Sequence, residues 1–235
     1  MSAAELAAWG VHLYTASGAV VAFLALDAIF RGAYGAAFAW MTVATWIDST
    51  DGTLARRLRV KEILPHFDGA RLDDIVDYLN YVVVPLVLAY FADLIPPGKL
   101  GLCVAAAPLL ASGYGFCQME AKTPDHFFTG FPSYWNIVVL YLYALRTPHW
   151  FNVGTLLLFS VMVFVPIRYL YPSRTPVARR RTYVLGVLWA VLVVVLVLQF
   201  PNPSRALALV SLFFPAYYLA MSFHVHFNHP RRPQA

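Results

Sequence analysis

The sequence predicts an all-α polytopic membrane protein, with about eight transmembrane helices in one integral-membrane domain spanning residues 1–235. Three observations carry this. Hydrophobic residues make up 60% of the chain and charged residues 12%, against roughly 25% charged in a soluble domain. Uncharged runs at 100–119, 150–167, 182–204 and 206–223 are each long enough to cross the hydrocarbon. With the N-terminus cytoplasmic and the helices alternating, only Arg31, Lys99, Arg146 and Arg205 of the seventeen Lys and Arg fall on the far side.

Helices are expected near 8–30, 33–58, 68–92, 99–119, 131–146, 149–171, 182–200 and 203–227, joined by short connections. No basic stretch and small-residue cleavage site precede the first apolar helix, so no removable signal peptide is expected. The first helix carries His12, read as a packing residue, and Asp27 with Arg31 four residues on, read as an interfacial ion pair. The second reaches Asp48 after fifteen residues, roughly 22 Å along its axis, which sets that carboxylate near the inner boundary of a hydrocarbon layer about 30 Å thick. Pro85 should disturb the third helix. Cys103 and Cys117 share the fourth, roughly 21 Å apart, and cannot pair with each other. Tyr134 and Trp135 open the fifth at its cytoplasmic end, where an aromatic belt is the plain reading. Arg168 and Arg174 close the sixth, as topogenic charge or as contacts to a phosphate. His224, His226 and His229 have metal-like spacing, but their place at a helix end reads as interfacial. The net charge of +5 follows from membrane topology and implies no nucleic acid; the basic rim would attract anionic lipid instead.

One stretch stands apart. Asp48 and Asp51 are three apart, and Gly69, Asp73 and Asp77 are spaced by four. Residues three or four apart share a helix face. Asp48, Asp51, Gly52 and Ala55 therefore form one stripe, and Gly69, Asp73 and Asp77 another, while Asp68 and Asp74 fall off the second. Carboxylates inside a membrane are costly and mark function. Facing stripes would gather four of them beside small residues, which calls for a hard cation such as Mg²⁺ or Mn²⁺.

These residues carry a resemblance. D-x-x-D-G-x-x-A-R, a spacer and G-x-x-x-D-x-x-x-D is the signature of the CDP-alcohol phosphotransferase family. Every fixed position is present: Asp48, Asp51, Gly52, Ala55, Arg56, Gly69, Asp73 and Asp77. The match covers about thirty residues, and the helical context extends the likeness over six helices. The twelve residues between Arg56 and Gly69 exceed the usual spacer. That length, the two extra helices and the segment F-P-S-Y-W-N at 131–136 resemble the bacterial branch that uses choline.

The resemblance implies a six-helix core plus two helices, CDP-diacylglycerol as donor, choline as acceptor and CMP as product. It implies two ions of Mn²⁺ or Mg²⁺, held by Asp48, Asp51, Asp73 and Asp77, with Asp77 as general base. Asp51, Gly52, Ala55, Arg56 and Gly69 would accommodate the nucleotide. Tyr134, Trp135 and Asn136, with Glu120 or Asp125 as counter-charge, would take choline, since aromatic faces attract a quaternary ammonium. Arg168 and Arg174 would meet the lipid phosphate. A homodimer in the bacterial inner membrane, with the site and both termini cytoplasmic, completes the expectation. Serine, inositol or glycerol phosphate are the alternative acceptors. A secondary transporter is the rival class, disfavoured by the absence of matching interrupted segments in the two halves.

Overall fold

The structure, a computed structural model, describes residues 1–118, 123, 127–171, 175 and 177–228. It is helical nearly throughout, as expected. Helix α1 (Ala3–Phe30) begins earlier than the apolar run, because Ser2 and Glu5 cap each other. Glu5 N donates to Ser2 Oγ at 3.2 Å and Ser2 N to Glu5 Oε2 at 2.7 Å, satisfying two of the free amides at the helix start. Asp27 and Arg31 pair at 2.9 Å near its far end, as the spacing predicted.

Helix α1 is the hub. It lies against α2 (Tyr34–Arg57), the short α3 (Val60–Ile63), α4 (Gly69–Asp77) and α5 (Val84–Phe91). Small side chains permit this: Ala22, Ala25 and Ala28 meet Ala37 and Ala89 in one core cluster. Gly18 matters most, since a Cβ there would stand 2.6 Å from Val76 Cγ1 on α4. Asp68 opens α4 as its N-cap, accepting from Arg71 N at 3.1 Å. Between α4 and α5, residues Tyr78–Val83 form a wide π turn. Pro85 follows it and has no N–H for the carbonyl four residues back; the wide turn absorbs that gap, which is the form the expected disturbance takes.

Helices α6 (Gly98–Cys117), α7 (Trp135–Ala144), α8 (His149–Phe164), α9 (Arg179–Leu198), α10 (Arg205–Ser211) and α11 (Phe213–Asn228) complete the bundle. Among the described residues, five helical stretches have the length and hydropathy to cross a membrane, α4 to α5 and α10 to α11 each counting once. Helices α7 and α8 are apolar but shorter. The outer face of α9 exposes Val184, Leu188, Val191, Val195 and Leu198, a surface suited to lipid tails rather than water.

One expectation is corrected here. The helix predicted to run to residue 171 stops at Phe164, because Pro166 disfavours helical backbone in the residue before it. Arg168–Leu170 instead forms strand β2, antiparallel to β1 (Phe127–Thr129), with Phe128 opposite Tyr169. Gly130 then turns away at φ +80, where any Cβ would strike the carbonyl oxygen of Val163. Helix α11 holds this small sheet: Leu170 N donates to Ser222 Oγ at 3.1 Å, and the Tyr218 hydroxyl donates to the Leu170 carbonyl at 3.1 Å.

Candidate active site

Helices α2 and α4 meet with their carboxylates facing. Asp48, Asp73 and Asp77 each offer an oxygen, and the three oxygens lie within 4.8 Å of one another. All three side chains are half-buried. At that separation and an effective dielectric near 20, each ionised pair repels by about 3 kcal/mol. A divalent cation relieves this directly, and an all-oxygen donor set suits a hard ion. These residues could therefore hold a metal ion.

Asp51 is placed differently. It turns to α1, is 5% exposed and accepts a hydrogen bond from Thr15 Oγ1 at 2.8 Å. Three residues along a helix is a rotation of about 60° short of a full turn, enough to aim Asp48 at α4 and Asp51 at α1. The glycines divide likewise. Gly52 lies beside Arg56, with a Cβ-to-Nη1 gap of 3.1 Å, and Arg56 Nη2 donates to Thr53 Oγ1 at 3.1 Å. Gly69 is pressed against α1: a Cβ there would be 2.6 Å from His12 Cε1. Ala55 packs toward the small cluster of Ala8, Val11, Val60 and Leu64.

Sequence reasoning missed Tyr81. Its hydroxyl donates to Asp48 Oδ2 at 2.6 Å, and the side chain is 9% exposed. The signal was present: Tyr81 is four residues after Asp77 and eight after Asp73, on the stripe already drawn. Asn80, beside it, donates from Nδ2 to the carbonyls of Gly18 and Val76, both at 3.0 Å, tying the π turn to α1.

The expected aromatic residues separate in role. Tyr134 is half-buried, with ring centroids 6.4 Å from Tyr81 and 6.2 Å from Tyr218. Trp135 is fully enclosed, and its Nε1 donates to Ser112 Oγ at 2.7 Å. Asn136 is buried and reaches Thr45 Oγ1 at 3.4 Å. Arg168 is 6% exposed, its guanidinium carbon 4.1 Å from the centre of the Phe127 ring, a cation–π contact. On β2, Tyr169 stacks on Tyr218, and burial pushes its hydroxyl up to about 12. Of the terminal histidines, His226 Nδ1 accepts from Arg168 N at 3.3 Å and His224 pairs with Asn228. Glu120, Lys122, Asp125, Arg174, His229, Arg231 and Arg232 lie outside the described residues.

No family model matches the chain. Comparison with known proteins is more informative. A phosphatidylcholine synthase of Legionella pneumophila is 40% identical over 228 residues, covering 93% of this chain and 88% of its own. One from Legionella bozemanae is 37% identical, covering 88% of this chain and 98% of its own. One from Pseudomonas aeruginosa is 37% identical, covering 89% and 87%.

Proposed function

The chain belongs to the phosphatidylcholine synthase family, and we infer from this that it transfers the phosphatidyl group of CDP-diacylglycerol to choline, releasing CMP, at the carboxylates of α2 and α4. The observation that carries the assignment to a site is the convergence of Asp48, Asp73 and Asp77 oxygens within 4.8 Å. A transferase acting on a pyrophosphate must cope with a dianionic donor, and the same carboxylates that repel one another attract the ions that neutralise it.

In this reading Asp48, Asp73 and Asp77 would hold two ions of Mn²⁺ or Mg²⁺, with Asp51 as the fourth carboxylate of the signature. Such ions would supply charge neutralisation to the pyrophosphate and to the departing CMP. Asp77 takes the proton from the choline hydroxyl as the new P–O bond forms and the bond to CMP breaks. Gly52 and Ala55 leave room for the nucleotide, Gly69 borders it, and Arg56 offers its guanidinium to a phosphate. Arg168 and Arg174 serve the phosphate on the diacylglycerol side. Choline enters beside Tyr134, with Trp135 and Asn136 supporting the segment behind it and Glu120 as counter-charge.

Eight crossings complete the arrangement: α1, α2, α4 with α5, α6, α7, α8, α9, and α10 with α11. The excess of basic residues supports an orientation with both termini and the carboxylates toward the cytoplasm, in a bacterial inner membrane. The protein works there as a homodimer amid its lipid substrate. Purified protein given CDP-diacylglycerol, Mn²⁺ and a panel of choline, ethanolamine, serine, inositol and glycerol 3-phosphate tests the reading. CMP release with phosphatidylcholine as the dominant lipid by mass spectrometry is expected. A dominant product from another alcohol would overturn the choline assignment.

A further inference from the structure

We propose that Tyr81 is a positioning residue for the cation site: its hydroxyl holds Asp48 of α2 in register with Asp73 and Asp77 of α4 before any ion arrives. The proposal rests on the metal reading of these carboxylates above and adds to it a residue outside the aspartate motif. The three carboxylates come from two helices. Asp73 and Asp77 share α4, so the helix itself sets their spacing, whereas Asp48 reaches them across a contact between helices. Their oxygens lie within 4.8 Å of one another, and such like charges repel. Without a cation, the readiest relief is for the single carboxylate on α2 to swing away.

Tyr81 opposes that movement. Its hydroxyl donates to Asp48 Oδ2 at 2.6 Å, the length of a charge-assisted bond, which is about twice as strong as a neutral one. Tyr81 also belongs to the continuous helical stretch Gly69–Phe91 that carries Asp73 and Asp77. The bond therefore ties the lone carboxylate of α2 to the same stretch of chain that bears the other two. An ionised carboxylate has lone pairs on both oxygens, so Asp48 keeps acceptor sites for a cation while it is held.

Local geometry delivers the hydroxyl to this point. In a regular α-helix Tyr81 would stand about 80° around the axis from Asp73. The π turn at Tyr78–Val83 advances less per residue and carries the ring back toward the direction of Asp73 and Asp77. Asn80 fixes that turn through its bonds to the carbonyls of Gly18 and Val76. The Tyr81 ring is buried against Tyr134, so the phenol is held as firmly as the backbone that presents it. A buried phenol needs some polar partner. Tyr141 shows the ordinary solution, with its hydroxyl met by Ser211 and Trp189, whereas Tyr81 meets a carboxylate of the cation site.

The test is titration of whole, chelator-treated protein with Mn²⁺, the free ion being read by electron paramagnetic resonance. Tyr81→Phe keeps the ring and removes only the oxygen. It should weaken Mn²⁺ binding by roughly tenfold to a hundredfold, the range for losing the hydrogen-bond partner of a metal ligand. Asn80→Ala frees the π turn from α1 and should weaken binding in the same direction. In each variant the Mn²⁺ concentration for half-maximal turnover should rise by the same factor as the dissociation constant. Tyr141→Phe loses a buried hydroxyl with no carboxylate behind it and should bind Mn²⁺ as the wild type does, which separates positioning from a general loss of stability. Wild-type affinity in either Tyr81→Phe or Asn80→Ala overturns the proposal, and so does equal weakening in Tyr141→Phe. Failure of the metal reading looks different: the wild-type protein itself would then bind no Mn²⁺, and the proposal would fall with it.

Discussion

Gly69→Ala is the substitution whose consequence follows most directly from the packing. The added methyl would stand 2.6 Å from His12 Cε1, where an ordinary carbon contact is about 3.5–4.0 Å, so something must move by about 1 Å. The imidazole has nowhere to go. It is 7% exposed, and its ring centre lies 4.4 Å from that of Phe67 and 5.8 Å from that of Trp9. Helix α4 must therefore shift off α1, carrying Asp73 and Asp77 away from Asp48. Overpacking of this kind costs about 1–3 kcal/mol. At about 2–4 °C per kcal/mol for a chain of this size, thermal unfolding should fall by roughly 2–12 °C. A displacement near 1 Å at reacting groups is worth roughly a hundredfold in rate, and kcat/KM should fall by about that much. The decisive assay is a double-mutant cycle with His12→Ala, read by phosphatidylcholine formation and by thermal unfolding. Removing the imidazole makes room for the methyl, so His12→Ala/Gly69→Ala should recover most of the activity lost in Gly69→Ala, with a coupling of at least about 1 kcal/mol. If the two effects simply add, Gly69 is small for the sake of the nucleotide alone, and the packing argument fails.

Three further outcomes are expected. Asp73→Asn should abolish turnover while Asp74→Asn, about 100° around α4, should be milder; equal losses would mean that the wrong face has been assigned. Asp77→Asn should lose catalysis yet retain more CDP-diacylglycerol binding by thermal shift than Asp73→Asn, and identical loss of binding would make Asp77 a ligand without a base's role. A cysteine replacing the exposed Lys61 of α3 should resist a membrane-impermeant thiol reagent in intact cells, whereas ready labelling would invert the topology.

What could be read from the chain follows from how local each feature is. The stripe of Asp73 and Asp77 was legible because helical periodicity alone puts residues four apart on one face of α4, while its meeting with Asp48 of α2 is a tertiary contact. The ion pair of Asp27 and Arg31 was legible for the same reason. Tyr81 lay within the same logic and was overlooked because attention stayed on charge. The division between Asp48 and Asp51 was not legible: both project from one side of α2, and their separation depends on Thr15 of α1 supplying a hydroxyl to one of them. The pairing of β1 with β2 joins residues some forty positions apart, beyond the reach of any local pattern. Pro166 carried a signal for the early stop of α8, yet the expected helix ran past it to residue 171. Tyr134 and Trp135 illustrate the limit best, since adjacent aromatic residues at a helix start look alike in sequence. The first sets its ring against Tyr81 and Tyr218, and the second is locked behind the segment by Ser112.

The proposed transfer turns on whether the three converging carboxylates hold a divalent cation. Titration of purified, chelator-treated protein with Mn²⁺, followed by electron paramagnetic resonance, measures that without reference to turnover. The wild-type protein should bind Mn²⁺ with saturation, release it to excess Mg²⁺, and lose that binding in Asp48→Asn and in Asp73→Asn. Undiminished Mn²⁺ binding in both variants would contradict the account, because the ion would then sit somewhere other than between α2 and α4.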